Sequence, residues 1–190
     1  MAATESTMLP LATPAPDFTL PDTMSGQSRS LAELAGSEGT LIAFICNHCP
    51  FVLHVKDQLI ALANDYRDRG IGFIAISSNS IETHPQDGPE HMRALMQDWG
   101  QPFDAYLYDA SQAIAKAYQA ACTPDFYLFN ADLKLVYRGR LDNARPGNEV
   151  PLTGADLRDS LEALLAGEAP LAEQYPSLGC NIKWKPTVTS

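Results

Sequence analysis

Apolar runs and helical patterns alternate along most of the chain. Residues 41–45 form a continuous apolar run, which is typical of a strand that is buried on both faces. After Pro50, apolar residues recur three or four positions apart and predict a helix with one apolar stripe: Val52, Val55, Leu59, Leu62 and Tyr66. Pro50 fits the first turn of this helix, where a missing N–H does no harm, and Gly70 ends the unit.

The same alternation continues to residue 167. Apolar runs predict further strands over residues 71–77, 105–108, 126–129 and 135–138, of which the last two form an antiparallel hairpin. Helices are predicted over residues 89–99, from a Ser111 cap to about Ala120, and from a Thr153 cap to Gly167. The order β-α-β-α-β-α-β-β-α predicts an α/β fold with a mainly parallel sheet between helices and a terminal antiparallel hairpin.

Composition and charge narrow the class of protein. The chain has 190 residues, of which 45% are hydrophobic and 19% charged, as in one globular domain. Its net charge of −10 disfavours nucleic acid and anionic membrane surfaces as partners. No apolar run approaches the roughly 20 residues that span a bilayer. Residues 1–16 lack a secretory signal, so we expect a cytoplasmic protein. We also expect a flexible segment over residues 1–13 and one domain over residues 14–190, ending in a tail with little regular pattern.

Two of the four cysteines form Cys46-Asn47-His48-Cys49, between a predicted strand and a predicted helix. The free N–H groups and partial positive charge of a helix N-terminus stabilise a thiolate on Cys46. The two-residue spacing lets Cys49 close a disulfide with it. We therefore expect Cys46 to be the exposed attacking thiol and Cys49 the resolving thiol. His48 is expected to lower the pKa of Cys46 further and to make the disulfide more oxidising.

Metal binding is the alternative interpretation of the same residues. A structural zinc site needs four ligands, commonly from two such motifs, and the sequence holds no second Cys-x-x-Cys. The strand–helix context favours redox chemistry. A copper or zinc delivery protein that uses Cys46, His48 and Cys49 remains the alternative function, because thiolate and imidazole suit both metals. A non-catalytic interaction module would not need both cysteines.

Several segments resemble a known family. The strand–Cys-x-x-Cys–helix unit, with Ala-Cys-Thr-Pro at residues 121–124 ahead of a strand, looks like the thioredoxin-like superfamily. Ala-Pro-Asp-Phe-Thr-Leu at residues 15–20 resembles the start of its alkyl hydroperoxide reductase/thiol-specific antioxidant, or redoxin, branch. Residues 46–51 and 179–184 are similar to a bacterial subgroup described as peroxiredoxin-like. The resemblance covers about residues 14–186. It implies a thioredoxin-like fold with an inserted helix and strand, since Pro124 lies 75 positions after Cys49.

The resemblance also implies a site and an activity. The Thr123–Pro124 bond is expected to be cis and to place backbone beside the active-site sulfurs, where a bound peptide strand can pair. The implied activity is thiol–disulfide exchange with a peroxiredoxin-like antioxidant role. Its substrate is a protein or small-molecule disulfide, or a hydroperoxide. An external thioredoxin or glutathione system restores the dithiol, and neither a cofactor nor a metal is required.

One departure from the peroxiredoxin pattern bears on the substrate. Peroxiredoxins carry Pro-x-x-x-Thr/Ser-x-x-Cys around the reactive cysteine. Counting back from Cys46, the corresponding positions hold Gly39 and Ala43. Counting back from Cys49, they hold Ile42 and Cys46. Neither frame fits, so we expect slow peroxide reduction.

The other two cysteines each have two interpretations. Cys122 is either a buried small apolar residue or an additional redox thiol near Cys46 and Cys49. Cys180 is either a third redox thiol or a packed anchor together with Trp184. Burial of Ile182 and Trp184 would order the tail, so we expect it to dock on the domain rather than form a free arm.

Overall fold

The computed structural model of the protein describes residues 3–187. The strands are β1 (Ala3–Glu5), β2 (Thr19–Pro21), β3 (Ser28–Ser30), β4 (Gly39–Phe44), β5 (Ile71–Ser77), β6 (Ala105–Tyr108), β7 (Cys122–Thr123), β8 (Asp125–Asn130), β9 (Leu135–Gly139) and β10 (Leu178–Asn181). The helices are α1 (Leu31–Leu34), α2 (Pro50–Arg67), α3 (Pro89–Asp98), α4 (Ala113–Ala117) and α5 (Ala155–Leu165), with a 3-10 turn at Pro85–Asp87. Within these residues, no helix combines the length and apolarity needed to cross a membrane.

Five strands form the central sheet, in the order β6-β5-β4-β8-β9. β5 runs parallel to β4 and β6, whereas β8 runs antiparallel to β4 and β9. The predicted order of strands and helices is confirmed for this part of the chain, but the sheet is mixed rather than mainly parallel, because two of its four strand pairs are antiparallel. The bounds of β5 and β6 match the prediction, and β4 lies within two residues of it.

The central sheet is covered on both faces. Every residue of β4, β5 and β6 is buried, as expected for strands between two layers of helices. One apolar cluster lies on the side of α2, α3 and α5 and includes Leu59, Met96 and Leu161. The other includes Leu31 of α1 and packs against the opposite face. Three of the four cysteines belong to the first cluster, so the candidate site lies on that side of the sheet.

The apolar pattern predicted α2 well. The helix begins with Pro50 in its first turn, and all five residues of the predicted stripe are buried. α4 is shorter than the predicted helix, because Gln112 precedes it in a left-handed conformation and Ser111 is not its N-cap. Instead, a carboxylate oxygen of Asp109 accepts a hydrogen bond from the N–H of Ala115 at 2.9 Å.

The predicted Thr153 cap of the last helix is also wrong. The N-cap residue of α5 is Gly154, at φ 70°, where a side chain would be strained. The Asp142 carboxylate accepts hydrogen bonds from the N–H groups of Thr153 and Gly154 at 2.8 and 2.6 Å. Asp142 thus holds the two residues before α5, and the carbonyl oxygen of Leu141 accepts the N–H of Leu157 in the first turn at 3.1 Å.

A second, three-stranded sheet joins both ends of the described chain to the middle. Its order is β1-β10-β7, with both pairs antiparallel. This placement differs from the expected flexible segment over residues 1–13 and from the expected irregular tail. Strands of two to four residues carry almost no periodicity, so only their partners reveal them. The tail is docked, as predicted. Residues 1–2 and 188–190, the outer ends of the two predicted segments, lie outside the described residues.

Candidate active site

Cys46 and Cys49 lie between the end of β4 and the start of α2, as predicted. The N–H of Ile45 still donates to the carbonyl oxygen of Ile76 at 3.0 Å, so the chain leaves the sheet immediately before Cys46. Cys49 is the N-cap residue of α2. Its carbonyl oxygen accepts the N–H groups of Val52 and Leu53, both at 3.0 Å.

Both cysteines are buried, which corrects the expectation that Cys46 is exposed. Cys46 is 1% exposed and Cys49 is 0% exposed. The expectation assumed a bare junction between a strand and a helix. In the structure, β7 and β10 cover this junction, and neither strand was visible in the apolar pattern.

The Thr123–Pro124 peptide bond is cis, as the resemblance implied. The Thr123 hydroxyl oxygen lies 3.6 Å from the Sγ of Cys46. The Sγ of Cys49 lies 3.4 Å from the carbonyl oxygen of Thr123. Thr123 therefore contacts both sulfurs, one through its side chain and the other through its backbone.

Three sulfurs lie next to one another in the order Cys46, Cys49, Cys180, which we call the sulfur row. The Cys46 and Cys49 thiols are close enough for each to shift the pKa of the other. The Sγ atoms of Cys49 and Cys180 are 2.8 Å apart, which is closer than the van der Waals contact of two sulfur atoms. Cys122 does not join the row through any such sulfur contact. Its thiol donates to the carbonyl oxygen of Pro124 at 3.7 Å, and its side chain is buried, as in the interpretation as a small apolar residue.

The acidities of the paired thiols are the reverse of those predicted. The hydrogen bond from Cys46, followed by those from Cys180 and Thr123, lowers the pKa of Cys49 to about 5 against the opposing effect of burial. The pKa of Cys46 is raised, first by its hydrogen bond to Cys49, then by burial and by the charge of Asp87. Burial and the contact with Cys49 raise the pKa of Cys180 to about 12. These shifts favour the thiolate of the reduced row on Cys49, in the middle.

His48 is directed to a carboxylate rather than to the Cys46 sulfur. Its Nδ1 lies 2.8 Å from the Oδ1 of Asp87, and its ring stacks on His84 with 5.3 Å between centroids. Asp87 also accepts hydrogen bonds from the backbone N–H of Asn47 and the side-chain amide of Asn79, at 3.0 and 2.8 Å. Because an ionised carboxylate only accepts, His48 donates through Nδ1.

Asp87 and Asn79 are site residues that the sequence analysis missed. Asp87 is fully buried, and its negative charge raises the pKa of Cys46. Both residues lie in the inserted segment after β5, and Asp87 is 40 positions from Asn47 and 39 from His48. The only signal in the sequence was a cluster of polar residues directly after a buried strand, where parallel strands end at one edge of the sheet.

One cluster has donor atoms suited to a metal ion. The donor atoms of Cys46, His48 and Asp87 all lie within 4.8 Å of one another. Sulfur, imidazole and carboxylate are ligands of Zn²⁺. Asp87, however, already accepts three N–H donors, and one of them comes from His48 itself. A metal ion would have to replace the hydrogen bond between His48 and Asp87. The contacts of these side chains therefore fit a hydrogen-bonded group better than a metal site.

The tail reaches the site through backbone pairing. Cys180 lies opposite Thr123 in the β10–β7 pair and opposite Ala3 in the β1–β10 pair. Ile182 is buried, as predicted, and Cys180 is 3% exposed. Trp184, in contrast, is 40% exposed and lies near Lys116, so it does not anchor Cys180 as the second interpretation required.

Comparison with known proteins identifies the family. The sequence profile of the Redoxin family matches residues 10–157, which is more than half of the chain. This span contains Cys46, Cys49 and the cis Thr123–Pro124 bond, but it ends before Cys180. No curated protein matches the chain.

Several solved structures are similar over most of the chain. An uncharacterised conserved protein from Geobacillus kaustophilus is 51% identical, with a TM-score of 0.96 over 99% of both chains. A hypothetical protein from Sinorhizobium meliloti is 46% identical, with a TM-score of 0.92 over 96% of this chain and 98% of that one. A protein from Neisseria meningitidis, provisionally described as a thioredoxin, is 26% identical, with a TM-score of 0.61 over 80% and 89%. The predicted thioredoxin-like fold is confirmed.

Proposed function

Because the chain belongs to the Redoxin family, we propose that it is a thiol–disulfide oxidoreductase whose redox centre is the Cys46–Cys49 pair. One observation carries the proposal. Cys49, three residues after Cys46, is the N-cap residue of a helix, and Thr123 of the cis-proline loop contacts both sulfurs. This arrangement provides two sulfurs within reach of a disulfide bond and a stabilised thiolate, which is the nucleophilic form.

The proposed cycle begins at Cys46, an end of the sulfur row. The Cys46 sulfur attacks a substrate disulfide as its proton passes to the Cys49 thiolate, and one substrate sulfur leaves as a thiolate. Cys49 then attacks the mixed disulfide at Cys46, its proton neutralises the first leaving group, and the second substrate sulfur is released. The substrate disulfide is reduced to one thiol and one thiolate, which takes its proton from the solvent, and the Cys46–Cys49 pair is oxidised to a disulfide.

Restoring the dithiol requires a partner. We assign this role to an external thiol system, such as thioredoxin or glutathione, which gives two electrons and two protons to the Cys46–Cys49 disulfide. The substrate is a protein or small-molecule disulfide, and no organic cofactor takes part. A cytoplasmic location, with neither nucleic acid nor membrane as partner, accords with the net charge of −10.

Reduction of hydroperoxides is a second candidate function, and the Thr123 hydroxyl favours it. This group lies 3.6 Å from the Cys46 Sγ, where it can hydrogen bond to a peroxide oxygen. Cys46 would be oxidised to a sulfenic acid with release of an alcohol, and Cys49 would condense with it and release water. Gly39 and Ala43 supply no further polar group, so we rank this peroxiredoxin-like antioxidant activity below disulfide exchange.

Metal delivery is the function that the test must separate from redox chemistry. Its donors would be Cys46 and Cys49 with His48, or the cluster of Cys46, His48 and Asp87. Stoichiometric copper or zinc in the purified protein that is lost in Cys46→Ala, without any disulfide turnover, would favour this function.

The experiment measures turnover of a small disulfide and of a hydroperoxide side by side, with an external thiol reductant. We expect Cys46→Ala to abolish turnover and Cys49→Ala to accumulate a mixed disulfide on Cys46, visible in the intact mass. Cys122→Ala is the matched control, because its buried sulfur lies outside the row, and turnover should be retained. Absence of both the Cys46–Cys49 disulfide and turnover in the wild-type protein would refute the proposal.

A further inference from the structure

The contact between Cys49 and Cys180 is unexplained by a two-cysteine cycle. Their Sγ atoms are 2.8 Å apart, whereas a disulfide bond measures about 2.05 Å. Both side chains are buried, so the contact is not a chance meeting of exposed thiols. Bond formation would require the two sulfurs to approach by only about 0.8 Å.

Backbone pairing, rather than a mobile arm, places Cys180 there. β10 is the middle strand of its sheet, hydrogen-bonded to β1 on one side and to β7 on the other. Directly before Cys180, Gly179 approaches the backbone of Thr123 so closely that no Cβ would fit. Beyond Cys180, the N–H of Lys183 donates to the side-chain oxygen of Asn79 at 2.9 Å. Cys180 is therefore fixed against Cys49 from both directions along the tail.

We infer that Cys180 is a third redox thiol, which exchanges with the Cys46–Cys49 disulfide to form a Cys49–Cys180 disulfide and release Cys46 as a thiol. The inference rests on the proposed function, which supplies the Cys46–Cys49 disulfide. In this step the Cys180 sulfur attacks the Cys49 sulfur, the Cys46–Cys49 bond breaks, and the Cys180 proton passes to Cys46. One disulfide and one thiol are present before and after, so no oxidant or reductant is consumed.

The position of Cys49 in the row makes this exchange direct. Cys49 contacts the sulfurs on both sides of it, so it can exchange partners without a rearrangement of the fold. The exchange has two consequences. It returns Cys46 to the thiol state while the protein stays oxidised, and it links the tail covalently to the start of α2. β10 is also paired with the backbone of β7, directly before Pro124. The Cys49–Cys180 disulfide would hold β10 in this pairing, so a bound peptide could not pair there.

The test maps the disulfides of the full-length protein after oxidation by oxidised glutathione. The reaction is quenched with acid, free thiols are alkylated, and peptides are identified by mass spectrometry. We expect both Cys46–Cys49 and Cys49–Cys180 links in the wild-type protein. In Cys46→Ala we expect the Cys49–Cys180 link alone, and in Cys180→Ala the Cys46–Cys49 link alone. Cys122→Ala is the matched control and should show the wild-type pair of links.

Two outcomes would overturn the inference. One is a Cys46→Ala protein that remains folded by circular dichroism, yet forms no Cys49–Cys180 link where the wild-type protein is fully oxidised. The other is a wild-type protein that contains only the Cys46–Cys49 link while it turns over disulfides. Either result leaves the proposed function intact, because that function fails only when the Cys46–Cys49 link and turnover are both absent.

Discussion

Gly179 and Thr123 are in backbone contact. A Cβ atom on Gly179 would lie 2.0 Å from the carbonyl oxygen of Thr123 and 2.6 Å from its carbonyl carbon. No real Cβ contact is that short, and the atoms in the way are backbone, which cannot rotate aside. Glycine at this position is what allows the tail to approach the cis-proline loop and what brings Cys180 to Cys49.

Replacing Gly179 with alanine is expected to displace β10 from β7. Overpacking of this kind costs about 1–3 kcal/mol, and here it falls on Thr123, whose hydroxyl contacts the Cys46 sulfur and whose carbonyl oxygen contacts the Cys49 sulfur. We expect Gly179→Ala to lower the free energy of unfolding by about that amount and to increase the alkylation rate of Cys180 in the folded protein. Urea denaturation and mass-resolved alkylation would measure the two effects.

Gly147→Ala is the control variant, because it replaces a glycine without creating a close contact. Gly147 has a φ of +85°, and a Cβ there would meet no atom within 4 Å. We expect a cost of roughly 1 kcal/mol from the left-handed conformation, with no change in Cys180 alkylation. Equal alkylation of Cys180 in the Gly179 and Gly147 variants would show that the tail does not depend on this close approach.

The thiolate of the reduced protein is expected on Cys49. Its pKa is lowered to about 5. The interaction with Cys46 has the largest effect, and the interaction with Cys180 lowers the pKa by a smaller amount. A titration followed by the ultraviolet absorbance of the thiolate should give one ionisation near that pH. Cys46→Ala should raise the midpoint most, and Cys180→Ala should raise it less.

Two variants complete the titration. Cys49→Ala should remove the low-pH ionisation, and Cys122→Ala should leave it unchanged, because the Cys122 sulfur is not hydrogen-bonded to Cys49. A midpoint that does not move in Cys180→Ala would mean that the contact between Cys49 and Cys180 is not a hydrogen bond in solution.

The central layers of the fold were predictable because their signals are local. β5 and β6 are continuous apolar runs between helices, and the stripe of α2 has helical spacing. The caps of α4 and α5 were not predictable, since the Asp109 carboxylate and the Leu141 carbonyl oxygen act from outside the helices that they cap. β7 and β10 are stabilised by pairing with distant backbone, which leaves no periodicity to detect.

The site was predictable to the same extent. Cys46 and Cys49 were found because their spacing is a local signal, and the cis bond at Pro124 followed from the resemblance. Three properties depended on distant residues. They are the burial of Cys46, the raised pKa of Cys46 that Asp87 helps to cause, and the contact between Cys180 and Cys49. The predicted effect of His48 on Cys46 stays a prediction, and the Asp87 partner of its Nδ1 was again a distant residue.

Oxidation is expected to stabilise the protein through the tail. A Cys49–Cys180 disulfide would join residues 131 positions apart, whereas Cys46–Cys49 closes only a very short loop. Restricting the unfolded chain over a long loop typically contributes about 2–4 kcal/mol. We expect the free energy of unfolding, measured by urea denaturation, to be larger by about that amount for the oxidised wild-type protein than for the reduced protein. The gain should persist in Cys46→Ala and disappear in Cys180→Ala, and a gain that persists in Cys180→Ala would assign the stabilisation to another link.

The stability of the fold should fall as the pH rises from about 4 to about 7, because of Asp125. This residue follows Pro124 at the start of β8, and burial raises its pKa from 3.8 to about 7. Between these values the folded state holds a proton that the unfolded chain has lost, so raising the pH favours unfolding. A difference of about three pKa units corresponds to a loss in the free energy of unfolding on the order of 4 kcal/mol by pH 8.

Asp125→Asn tests this prediction, because the asparagine cannot ionise while its amide oxygen can still accept the Tyr127 hydroxyl that donates to Asp125 at 3.2 Å. We expect this variant to show a flatter dependence on pH and to be more stable than the wild-type protein at pH 8. Asp98→Asn, at a mostly exposed carboxylate, should keep the wild-type slope. Urea denaturation from pH 4.5 to pH 8 measures all three proteins, and equal slopes for Asp125→Asn and the wild type would mean that Asp125 ionises normally in the fold.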